Sequence, residues 1–142
     1  MATHFENYAQ EGNAFLNEVA AALGAPEDQA YAFRVTQSLF HTLRDRITLE
    51  ESFHLISELP MALKAVYVNN WSFRTRPETY ESKEEFFQRI KDMDITAEVD
   101  FGSNPENEVK AFFRVLAKKV SKGEIDHVKG QLPAEIAELV EA

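Results

Sequence analysis

Residues Leu39–Tyr67, LFHTLRDRITLEESFHLISELPMALKAVY, recur without a gap as Phe112–Val140, FFRVLAKKVSKGEIDHVKGQLPAEIAELV. Phe40/Phe113, Leu43/Leu116, Glu51/Glu124, His54/His127, Leu59/Leu132 and Pro60/Pro133 are identical pairs, and Arg46/Lys119, Ile47/Val120, Thr48/Ser121 and Glu58/Gln131 keep their chemistry. The matches fall at caps, helix junctions and apolar faces, the places where a fold is specified. The expected architecture is therefore all-α: about eight helices, as two pseudo-symmetric four-helix repeats packed in one helical bundle.

Working outward, apolar residues recur every three or four positions, and strict alternation is nearly absent. Thr3–Leu23 reads as a first helix with Phe5, Tyr8, Phe15, Leu16, Val19 and Leu23 inward. Gly24 suits its C′ position, and Pro26 suits the first turn of a second helix reaching Arg44. That helix is expected to bury Val35, Leu39, Phe40 and Leu43. Thr48-Leu49-Glu50-Glu51, Ser82-Lys83-Glu84-Glu85 and Ser121-Lys122-Gly123-Glu124 read as capping boxes, the hydroxyl taking the N3 amide and the glutamate returning to the cap. Pro60 and Pro133 each disfavour the helical region for the preceding leucine and suit N1 of the next helix. Asn104-Pro105 opens a helix with Val109, Phe112, Phe113 and Leu116, and the last helix is expected to end near Val140. Ile95, Val99 and Phe101 suggest a short extended segment. Residues 1–142 are read as a single domain, with halves of about 1–70 and 82–142 joined by an aromatic and arginine-bearing loop over 69–81.

Composition narrows the function classes. A hydrophobic fraction of 44% with 11 Phe supports a sizeable core. The net charge of −9 opposes binding to nucleic acid or to anionic lipid. Without cysteine there is no disulfide, thiolate metal site or thiol nucleophile. Met1–Tyr8 lacks the basic and apolar runs of a signal peptide, and no segment reaches the roughly 20 apolar residues of a membrane span. A soluble cytoplasmic protein is expected.

Catalytic motifs are missing, so no catalytic residues are assigned. Arg44 and Arg46 flank Asp45 at a helix end, where two guanidinium groups can hold an anion or simply complement the helix dipole. His54 with Glu58, and His41 with Asp45, are i,i+4 pairs without an evident third ligand. The position matching Glu58 is Gln131, so neither a metal site nor a cofactor is expected. Trp71, Phe73, Arg74 and Arg76 concentrate interface-type residues in one loop. Alternatively, Trp71 and Phe73 fold back to seal the seam between halves.

The set Leu43-Arg44-Asp45-Arg46-Ile47, Glu58-Leu59-Pro60, Tyr67, Trp71, Glu85-Phe86, Gly123-Glu124 and Gln131-Leu132-Pro133 resembles the bacterial family catalogued as domain of unknown function 2267. The family pattern has glycine before the tryptophan, where this chain has Asn70, a residue that tolerates left-handed backbone. The resemblance implies a compact α-helical protein without an assigned activity and supplies no catalytic residues. The expected function is a non-enzymatic interaction module that binds a protein partner or associates with itself. The alternative is a small-molecule binding protein or enzyme, with an anionic or apolar ligand between the halves.

Overall fold

The computed structural model describes residues 4–72, 78–93 and 104–140. Within them the chain forms eight helices and no strand. These are α1 (His4–Ala22), α2 (Gln29–Arg46), α3 (Leu49–Glu58), α4 (Met61–Val68), α5 (Lys83–Met93), α6 (Pro105–Leu116), α7 (Lys122–Lys129) and α8 (Ala134–Ala137). The expected all-α fold is present. Ile95, Val99 and Phe101 lie outside the described residues.

Caps fix most boundaries. Gly24 takes φ +81°, and the Gly24 and Ala25 amides donate to the Ala21 and Ala20 carbonyls, closing α1 with a Schellman motif. Pro26 does not enter α2. The helix starts at Gln29, because the Asp28 carboxylate accepts from the Tyr31 amide at 3.0 Å and so supplies the cap. Pro60 (φ −57°, ψ 151°) and Pro133 (φ −53°, ψ 142°) are N-caps, one position before the expected N1. Their extended ψ turns the chain before helical geometry begins. The last helix stops at Ala137, short of Val140.

A chain of aromatic rings forms the centre. Phe15 meets Phe112 at 6.3 Å, Phe112 meets Phe40 at 5.1 Å, Phe40 meets Tyr67 at 5.3 Å, and Tyr67 meets Trp71 at 5.7 Å. All four contacts are edge-to-face, the arrangement that the ring quadrupole favours. Rings from α1, α2, α4 and α6 thus interleave in one core. The expected core residues Val19, Val35, Leu39, Leu43, Phe86, Ile90, Val109, Phe113 and Leu116 are buried around them. Tyr8, Leu16 and Leu23 are half-buried, and Phe5 is 82% exposed where an inward position was expected. Burial on α1 begins only at Gly12, so the helix's first turns extend past the core.

Candidate functional site at the seam between α3 and α7

Thr48 and Ser121 cap their helices as the pattern requires. Thr48 Oγ1 accepts from the Glu51 amide at 3.1 Å, and Ser121 Oγ accepts from the Glu124 amide at 3.2 Å. The second half of each capping box is different. The Thr48 amide donates to Gln131 Oε1 at 2.7 Å, and the Ser121 amide donates to Glu58 Oε1 at 2.6 Å. Ser121 Oγ also donates to Glu58 Oε2 at 3.1 Å. Glu58 and Gln131 occupy matching positions in the two segments, and each caps the helix of the other segment.

This exchange redirects the N3 glutamates. The amides that Glu51 and Glu124 were expected to reach are already taken, and both carboxyl groups turn into the seam. Glu51 is 7% exposed and Glu124 is 5% exposed. Burial, then a hydrogen bond and the charge of Glu51, then the charge of Glu58, push the Glu124 carboxyl up to about 8. Burial and the neighbouring carboxylates thus favour the protonated form of Glu124. His54, one turn beyond Glu51 on α3, brings Nδ1 to 3.9 Å from Glu51 Oε2. One ligand-type atom each from Glu51, His54 and Glu124 lies within 4.8 Å of the others. His127, the repeat mate of His54, is exposed and outside this group.

Arg44 and Arg46 diverge from their shared turn. Arg44 Nη1 donates to the carbonyls of Tyr67 and Asn69, both at 2.7 Å, and Nη2 donates to that of Asn70 at 3.1 Å. Its guanidinium carbon lies 5.8 Å from the Trp71 ring centroid, and Trp71 is half-buried. Asn70 takes φ +57° here, the left-handed geometry that the glycine of the family pattern would allow. Arg46 Nη1 donates to the Glu78 carbonyl at 3.3 Å, and Nη2 to Glu81 Oε1 at 3.0 Å, with the Tyr80 ring 5.8 Å away. The two arginines thus hold opposite ends of the loop that contains Trp71. Phe73, Arg74 and Arg76 lie outside the described residues.

His41 completes the same corner rather than pairing with Asp45 as a ligand. Its Nε2 lies 2.9 Å from the Val66 carbonyl, inside the last turn of α4. Burial holds its pKa below the usual histidine value, and the Arg44 charge adds to that effect. A separate apolar crevice of about 190 Å3 opens where α1, α2 and α4 meet. Gly12, Leu16, Phe33, Ala62, Leu63 and Val66 are among the residues that line it.

Sequence reasoning looked to Glu58 as the partner of His54 and so missed Glu124 beside Glu51 and His54. The available signal was Glu-x-x-His at matching positions in both segments, Glu51-His54 and Glu124-His127. No helix among the described residues is long and apolar enough to cross a membrane. No curated protein matches the chain. Residues 12–139, nearly the whole bundle together with both Leu-Pro corners, match the family described as "Uncharacterized conserved protein (DUF2267)", and the chain belongs to that family.

Proposed function

We propose that the protein is a non-enzymatic helical module that acts through protein contacts, in the first instance by associating with a second copy of itself. The observation that carries this reading is the apolar surface around the crevice between α1, α2 and α4. Phe33 is 38% exposed at the crevice, and Met61 and Val68 on α4 are 47% and 43% exposed. Met61, Ala65 and Val68 follow i, i+4, i+7 spacing, so they form one outward stripe on a helix whose other face is core. At about 190 Å3 the crevice falls below the roughly 300–1,000 Å3 of ligand pockets. It suits one or two apolar side chains of a partner helix. Arg44 and Arg46 are occupied by backbone carbonyls and Glu81, and aromatic rings fill the space between the halves. Trp71, Phe73, Arg74 and Arg76 stand in this reading as a second contact region.

Sedimentation equilibrium of the wild-type chain and of a Phe33→Asp, Met61→Lys variant tests the proposal. The wild type should dimerise with rising concentration, and the variant should remain monomeric with an unchanged circular dichroism spectrum. Losing two apolar anchors of ~2 kcal/mol each weakens association roughly a thousandfold. A wild-type chain that stays monomeric at millimolar concentration would remove the self-association reading.

A further inference from the structure

We propose that Glu51, His54 and Glu124 bind one divalent transition-metal ion of the zinc class at the seam between α3 and α7. Both carboxyl groups are more than nine-tenths buried. Glu51 Oε2 and Glu124 Oε2 meet no hydrogen-bond donor from any other described residue, and the one proton open to them is the one the two carboxyls share, which a bound cation displaces. A buried carboxylate oxygen without a donor is unusual, and a bound cation is one way to satisfy it. The imidazole is the third donor, its Nδ1 3.9 Å from Glu51 Oε2, too far for a hydrogen bond.

The placement follows from the caps. Because Glu58 and Gln131 satisfy the Ser121 and Thr48 amides, the N3 glutamates are left facing one another across two helices. Glu51 and His54 share one face of α3 at i,i+3 spacing, and α7 brings Glu124 to the same point. Zinc sits about 2.0–2.2 Å from carboxylate oxygen and imidazole nitrogen, which places tetrahedral ligand atoms about 3.4 Å apart. The ligand atoms now lie within 4.8 Å of one another, so binding draws them together by up to about 1.4 Å. His54 is exposed, so its side chain is free to contribute to that movement. Two oxygens and one nitrogen, with a position left for water, match a three-ligand zinc site. They are too few for calcium, which takes about six to eight oxygens. This departs from the expectation of no metal site, which did not bring Glu51 and Glu124 together. None of the three residues lines the crevice between α1, α2 and α4, so the metal site can fail without affecting the proposed contact surface.

The probe is zinc chloride alone, titrated calorimetrically into the untagged full chain in a non-coordinating buffer. One saturable zinc per chain is expected, together with a higher melting temperature that a chelator reverses. His54→Ala and Glu124→Gln should each weaken binding about tenfold or more, and His127→Ala should leave it unchanged. His54 is exposed, so its variant keeps the fold, and circular dichroism checks the Glu124 variant. Failure to saturate would overturn the site. So would zinc binding that survives both substitutions, an equal loss with His127→Ala, or equally strong binding of calcium.

Discussion

Arg44 aims its guanidinium at the carbonyls of Tyr67, Asn69 and Asn70 and sets its flat face against Trp71. The reason lies in α4, whose last carbonyls have no amide partners within the helix and form the negative end of its dipole. His41 meets the Val66 carbonyl beside it. The anion suggested by the Arg44-Asp45-Arg46 sequence has a counterpart inside the molecule: the C-terminal end of α4. A lysine cannot reproduce a planar fork that reaches three carbonyls. Arg44→Lys and Arg44→Ala are both expected to destabilise, the latter by about 2 kcal/mol, as read by urea denaturation. Trp71→Ala should cost about 2–3 kcal/mol, less than the ~3–5 of a fully buried aromatic, because the ring is only half-buried. His41 adds a pH dependence. Its folded pKa is depressed, so below the ordinary histidine value of about 6.5 the unfolded chain binds the proton first. The contribution of His41 to stability is present above about pH 6.5 and is lost as pH falls through the folded value. His41→Gln, which keeps a donor for Val66, should lose less stability than wild type between pH 7 and pH 5. The raised Glu124 carboxyl acts in the opposite direction, so the difference between variant and wild type is the quantity to measure. Equal slopes for the two proteins would remove His41 as a titrating group.

The elements show which instructions were local. Thr48, Ser82, Asn104 and Ser121 each cap the helix that their sequence context assigns to them. The polarity of a short side chain next to an apolar repeat is enough to mark such a start. What the Glu51 and Glu124 side chains do was not legible, because it depends on Gln131 and Glu58 arriving from distant chain positions. Pro26 misled for a related reason, since an aspartate cap two residues later defines the start of α2 more strongly than proline's preset φ. Ser121→Ala removes both a cap and a bond to Glu58, and should destabilise by roughly 0.5–2 kcal/mol. In a double-mutant cycle, Ser121→Ala and Glu58→Ala should be less than additive, because the pair shares a hydrogen bond. Strict additivity in denaturation midpoints would show that the two segments do not cap each other in solution. Gly12 sets the approach of α1 to α4. A Cβ built there would come within 2.8 Å of Ala62 Cβ. Helix propensity favours Gly12→Ala by about 1 kcal/mol, while overlap of two methyl groups fixed to the backbone costs typically 1–3 kcal/mol. The overlap should win. Adding Ala62→Gly should restore most of the loss, and a stabilised single variant would show that the helices separate freely.

For the whole molecule, the interleaved rings decide whether the two segments are separate folding units. Phe112 of α6 lies between Phe15 of α1 and Phe40 of α2, so rings from distant parts of the chain complete one core. The recurrence of Leu39–Tyr67 as Phe112–Val140 pointed to matching corners, and the cap angles of Thr48 and Ser121 agree within a few degrees. It did not indicate that the matched corners depend on each other, because contacts between distant segments leave no periodic trace in the chain. Nor are the helices after the corners equal: α4 spans eight residues and α8 four. Mutual dependence predicts one cooperative transition. Phe112→Ala should cost about 3–5 kcal/mol, a large share of the roughly 5–15 available to a domain, and should lower the midpoint of every probe together. Cutting the chain within the loop sharpens the test. Residues 1–72 alone lack Phe112, and residues 78–142 alone lack Phe15 and Phe40, so each piece exposes the apolar faces that the other covers. Each is expected to be poorly helical in isolation, since short helices are marginal without tertiary packing. Mixing the two should restore the helical circular dichroism of the intact chain. Two pieces that fold independently, with no gain on mixing, would mean that the aromatic chain is a contact between finished domains rather than a common core.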